Sequence, residues 1–126
     1  RGSGTILVVD DEEVIRVIAV DMLTFLGYTV YTASNGREGV ELYNEKCGEI
    51  DLVILDMVMP VMSGREALAA MRQIDPAVKV LIASGFVREE DAEGLHEAGI
   101  AHVIRKPFQS AELSRMVHDA INGANG

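Results

Sequence analysis

A chain of 126 residues has room for one domain and can bury a core without disulfides. Its 48% apolar and 25% charged residues exclude disorder, and a formal charge of −9 with eleven scattered Lys and Arg excludes a nucleic-acid surface. No apolar run approaches the ~20 residues of a membrane span and no signal peptide is recognisable, so the expected protein is cytoplasmic, without membrane contact.

Residues 1–4, RGSG, read as an expression scar, leaving a domain at 5–122 and a frayed tail at 123–126. Residues 6–9 are an apolar run that stops at Asp10, Asp11 and Glu12, which predicts a buried strand followed by an acid-rich helix start. Ile15, Ile18, Ala19, Met22 and Leu26 recur at helical spacing, and Gly27 supplies the stop. Residues 28–33 are β-branched and aromatic, a second strand, and a weaker helix at 37–46 packs through Val40 and Tyr43. Cys47, the single cysteine, has no second Cys or paired His at metal spacing and reads as a small semi-buried side chain.

The stretch DLVILDMVMP, 51–60, is the centre of the pattern. Four apolar residues, 52–55, suit a strand buried on both faces that empties into a loop at Asp56. A helix then carries Ala67, Leu68, Met71 and Ile74 until Asp75 and Pro76 stop it. Met57, Met59 and Met62 read as gap-filling core. A fourth strand at 79–83 finishes at Ser84 and Gly85. The predicted helix at 88–98 offers only Ala92, Leu95 and Ala98 to a core and holds Gly94 in its interior, so it is the least anchored. A short fifth strand, 102–105, ends at Lys106 and Pro107, and a last helix places Leu113, Met116, Val117, Ala120 and Ile121 on one face.

Five strands alternating with five helices predict an α/β fold, doubly wound and flavodoxin-like, with a five-stranded parallel sheet in the order 2-1-3-4-5. Ligands of such sheets bind at the carboxyl ends of the strands. Standing there are Asp10 and Asp11, Asp56, Ser84 and Lys106, each polar where its strand is apolar. Singly, Asp10 or Asp11 reads best as a helix N-cap. Together, the three carboxylates repel one another unless a cation sits among them, and carboxylate oxygens with waters and one backbone carbonyl suit Mg²⁺. Lys106 and Ser84 supply the charge and the hydroxyl that hold a phosphoryl group, leaving Asp56 as the nucleophile.

VVDDE at 8–12, LDMVMPVMSG at 55–64, ASG at 83–85 and KPF at 106–108 resemble the receiver domain of two-component response regulators, over residues 5 to about 122. The resemblance implies that Asp56 accepts a phosphoryl group from a phosphohistidine on a sensor histidine kinase or histidine phosphotransfer protein. It implies that Asp11, Asp56 and the Val58 carbonyl bind Mg²⁺ directly and Asp10 through water, that Ser84 and Lys106 contact the phosphoryl oxygens, and that the bond before Pro107 is cis. Ser84 would then draw the helix at 88–98 into a second packing, so that the face of that helix, the fifth strand and the last helix meets a downstream effector.

Three features set this sequence apart from the pattern. Val103 stands where the family commonly has an aromatic residue, and a stiff valine cannot swing between buried and exposed states. Val58 and Phe86 flank the site with apolar groups that should exclude an attacking water, so self-dephosphorylation is expected to be slow. His96, His102 and His118 read as surface residues. An aspartyl-phosphate phosphohydrolase would need its nucleophile after the first strand and a lid, and a phosphorylation-independent docking receiver would not need the intact acid and lysine set. The domain alone is not a conventional enzyme; Val103 and the scar favour excision from a hybrid kinase or phosphorelay protein.

Overall fold

Alternation with a period of two decides where every strand residue goes. The computed structural model describes residues 4–46, 48–57, 62–84, 103–106 and 108–122, apart from the side chains of Ser84 and Arg105. Within them run β1 (Thr5–Val9), α1 (Glu13–Phe25), β2 (Thr29–Ala33), α2 (Gly36–Lys46), β3 (Leu52–Asp56), α3 (Gly64–Ile74), β4 (Val80–Ser84), β5 (Val103–Arg105) and a C-terminal helix, α4 (Ser110–Asn122). All neighbouring strands pair in parallel, in the order β2-β1-β3-β4-β5, as the doubly wound prediction requires. The predicted helix at 88–98 lies outside the described residues, as do Cys47, His96 and His102.

Because both faces are covered, both sets of alternate residues are apolar. Leu7, Val9, Val53, Leu55, Val80 and Ile82 join Tyr43 of α2 and Ala67, Leu68 and Met71 of α3 in one core. Their neighbours Ile6, Val8, Leu52, Ile54, Leu81, Ala83 and Ile104 join Ala19 and Leu23 of α1 and Leu113, Val117 and Ala120 of α4 in the other. The sheet divides these two cores, and every residue of β3 is buried. No helix among the described residues is long and apolar enough to cross a membrane.

Local chemistry sets the element ends. Gly27, at φ 103°, takes the left-handed conformation that ends α1 after its C-cap at Leu26. The apolar face of α1 is the predicted one, since Ile15, Ile18, Ala19, Met22 and Leu26 all belong to or pack on the α1/α4 core, and Leu23 joins them. Ala19 and Leu23 are fully buried, Ile15, Ile18 and Met22 only half, while Val14, Val17 and Phe25 face outward. Two strands run one residue further than predicted, so Asp56 and Ser84 are the last strand residues of β3 and β4. The extra residue is hydrogen-bonded into the sheet, Asp56 opposite Ala83 and Ser84 opposite Arg105.

At α3, Ser63 and Glu66 form a capping box. The Glu66 N–H donates to Ser63 Oγ at 3.2 Å and the Ser63 N–H donates to Glu66 Oε1 at 3.0 Å. Gly64 follows, and here the absence of a side chain is mandatory. A Cβ on Gly64 would stand 2.2 Å from the Asp56 carbonyl oxygen and 2.8 Å from Met57 Cα. The Gly64 N–H donates to the Met57 carbonyl at 3.0 Å, so the start of α3 is pressed against the end of the central strand.

Candidate functional site

Asp10, Asp56 and Lys106 continue the alternation of the α1/α4 face, two residues beyond Val8, Ile54 and Ile104. The register sets Val9 beside Leu55 and Asp56 beside Ala83, so parallel pairing brings the three side chains to one end of the sheet. Lys106 Nζ donates to Asp10 Oδ2 at 2.9 Å and to Asp56 Oδ1 at 3.1 Å, with Glu12 Oε1 at 3.6 Å. Asp10 and Asp56 are 2% and 5% exposed, so this charge pairing operates away from bulk water, where it is strong.

Asp11 is exposed, but one oxygen of its carboxylate joins one each from Asp10 and Asp56, all within 4.8 Å of one another. These donors are hard and anionic, and they outnumber the one lysine that neutralises them. Burial, with repulsion from Asp10, pushes the Asp56 carboxyl up to about 6 despite the opposing pull of Lys106. Burial tends to lower the Lys106 ammonium, but its hydrogen bond and charge pairing with Asp10 and Asp56 outweigh this and raise it. Excess negative charge on hard oxygen donors at the mouth of the sheet fits a small divalent cation.

Neither Asp10 nor Asp11 is the N-cap of α1. That position is Glu12, which makes no side-chain cap bond. Asp10 Oδ1 instead accepts from the Glu12 N–H at 2.9 Å, and the Asp10 N–H donates to the Ala33 carbonyl at 3.1 Å. The turn that leads into α1 and the acidic cluster therefore share one side chain. Ser84 contributes its backbone to β4, and its hydroxyl lies outside the described residues. Val58, Phe86 and Pro107 lie outside them as well, so the carbonyl ligand, the flanking apolar group and the cis bond are expectations from sequence. Val103 is half-buried and packs on the α2/α3 core, while Met57 and Met62 fill the edge of the same core. His118 is exposed, 3.8 Å from Asp119.

A contact that sequence reading missed comes from α1: Arg16 Nη1 donates to the Asp10 carbonyl at 2.7 Å. The spacing of six residues held no motif for it, although a cation one turn into a helix that follows two acids was visible.

Comparison with known proteins adds to this geometry. The response regulator receiver domain family matches residues 6–118. The chain is 35% identical over 120 residues to the sensor kinase CckA of Brucella abortus, covering 95% of this chain and 13% of that protein. It is 36% identical over 109 residues to the chemotaxis protein CheY of Thermotoga maritima, covering 86% of this chain and 89% of CheY. The crystal structure of the receiver domain of a sensor histidine kinase from Pseudomonas aeruginosa, with a magnesium ion coordinated in its active site cleft, superimposes with a TM-score of 0.85. It shares 27% identity, covering 96% of this chain and 99% of that one. One fold thus recurs as a small part of a long kinase and as nearly the whole of a chemotaxis protein. A parallel sheet in this order, with acids and a lysine meeting at its carboxyl end, and a family match across nearly the whole length place the chain among the response regulator receiver domains.

Proposed function

We propose that Asp56 is the phosphoacceptor and takes a phosphoryl group from a phosphohistidine of a sensor histidine kinase or histidine phosphotransfer protein. The observation that carries this is a buried carboxylate at the end of the central strand, touched by the one lysine of the site and crowded by two further acids. An Asp56 oxygen attacks phosphorus, a P–O bond forms, and the P–N bond breaks with its electron pair going to the imidazole. The product is an aspartyl acyl phosphate. Attack needs the ionised carboxylate, and with the group near 6 about nine-tenths of it is ionised at pH 7. Lys106 is placed to neutralise charge on the transferred group, which lowers the barrier by electrostatic preorganisation. Ser84 is assigned the hydroxyl contact to the same group, and the apolar Val58 and Phe86 flanking the site are assigned the exclusion of an attacking water.

Asp11 and Asp56, with the Val58 carbonyl, are assigned as direct Mg²⁺ ligands and Asp10 as a ligand through water. When bound, Mg²⁺ supplies positive charge against the phosphoryl oxygens. The cluster supports this assignment, because its donors are oxygens only and carry more negative charge than Lys106 offsets.

The domain is assigned to 5–122 of a cytoplasmic protein. The chain spans 13% of the CckA kinase and 89% of CheY, so parents of both kinds exist among its relatives; Val103 leads us to favour a hybrid kinase or phosphorelay parent. Output is assigned to the face of residues 88–98, β5 and α4, with amide exchange of 88–98 expected to change on phosphorylation. Intact mass after incubation with acetyl phosphate and Mg²⁺ tests the central assignment. One phosphoryl mass is expected to persist on the natural chain for minutes or longer and to be absent from Asp56→Asn. Turnover without accumulation, or addition to Asp56→Asn, would overturn it.

A further inference from the structure

We infer that Arg16 is a positioning residue that sets the place of Asp11, and through it the metal affinity of the site; the inference rests on the proposed Mg²⁺ site. Asp11 is the exposed member of the acidic cluster, and its carboxylate accepts no hydrogen bond from the described residues. No side-chain bond among the described residues holds it, so what the fold fixes is the backbone from which the carboxylate reaches toward Asp10 and Asp56. The amide plane that carries the Asp11 nitrogen is the one that carries the Asp10 carbonyl. Arg16 Nη1 holds that carbonyl at 2.7 Å. On the other side, the Glu12 N–H is held by Asp10 Oδ1 at 2.9 Å, and the Glu12 carbonyl accepts from the Arg16 N–H at 3.1 Å. The turn bearing Asp11 is thus clamped at both ends, and Arg16 contributes to both clamps, one through its side chain and one through its backbone.

The chemistry of Arg16 suits this part. It is half-buried, and among the described residues it makes no ion pair, so its charged donor is committed to a neutral carbonyl. A charge-assisted bond of that length is among the stronger kinds. Only the side-chain clamp can be removed by substitution, because the Arg16 N–H bond belongs to the first turn of α1.

The test compares Arg16→Ala and Arg16→Lys with Val17→Ala, an exposed neighbour on the same helix. In EDTA, ¹⁵N relaxation is expected to show a lower order parameter at the Asp11 amide in Arg16→Ala, partial recovery in Arg16→Lys, and no change in Val17→Ala. Amide-shift titration with Mg²⁺ is expected to show affinity about tenfold weaker in Arg16→Ala, the scale of lost ligand-orienting contacts. Unchanged Asp11 order in Arg16→Ala would overturn the inference, as would natural Mg²⁺ affinity alongside a lowered melting temperature, the mark of a merely structural contact. If the natural chain itself failed to bind Mg²⁺, the metal assignment would fall, and the order parameter in EDTA would still decide whether Arg16 holds Asp11.

Discussion

Asp56 pays for its position with its own ionisation. In the unfolded chain its carboxyl would titrate near 3.8, and in the fold it titrates near 6, so between those values the folded state binds more protons than the unfolded one. Stability from this group therefore falls as pH rises from about 4 to 6 and stays lowered above. The shift corresponds to a cost on the order of 3 kcal/mol at neutral pH. Asp56→Asn removes the charge and also one partner of Lys106, so a net gain of about 1–2 kcal/mol is expected in urea unfolding at pH 7.5, with the decline between pH 4 and 6 flattened. A variant no more stable than the natural chain at pH 7.5 would show that Lys106 already offsets the burial. Lys106→Met should act in the opposite sense. It leaves two buried acids without their cation, raises the Asp56 carboxyl above 6, and should lower stability at pH 7 by about 2 kcal/mol, measured the same way.

At the scale of elements, Ser63 and Gly64 are adjacent and do different things. Ser63→Ala removes one half of a capping box and should cost about 1 kcal/mol of stability while leaving phosphorylation of Asp56 unchanged. Gly64→Ala puts a methyl group against the Asp56 backbone, which cannot move aside without disturbing β3, and should cost about 2 kcal/mol or more. It should also slow phosphorylation by acetyl phosphate, read by intact mass, because the strand end that carries the carboxylate shifts. Equal phosphorylation rates in the two variants would contradict this coupling. The strands, their order and the acid and lysine set were legible because a buried parallel sheet makes its strands continuously apolar and its ends abruptly polar. The S-x-x-E signal of the capping box was present and unread. The α1 face was legible, but the full burial of Leu23 beside it was not, since Val14, Val17 and Phe25 blur its edge. The clamp of Arg16 on a carbonyl was not legible either, because backbone acceptors leave no mark in a sequence.

At the scale of the whole molecule, the site and the global stability are one thermodynamic system. A cation that binds the folded acidic cluster and not the unfolded chain stabilises by mass action, about 1.4 kcal/mol at ten times its dissociation constant. Thermal melts at pH 7.5 should therefore shift upward with added Mg²⁺. The shift should fade as pH falls through 6 and Asp56 takes up a proton, and it should be smaller in Asp56→Asn at any pH. A melting temperature indifferent to Mg²⁺ at pH 7.5 would argue against a metal site of useful affinity.

β3 is flanked by β1 and β4, and all five of its residues are buried. Its amides should exchange with solvent only when the entire domain opens, which places it among the slowest-exchanging segments of the described residues. The carboxylate proposed as the phosphoacceptor is thus anchored to a part of the protein with little freedom to respond. Under the proposed function, the place where a chemical event is written is then separate from the places where it is read: the central strand is expected to hold still, and a change of shape to be expressed by elements at the sheet's periphery, which are expected to open more readily.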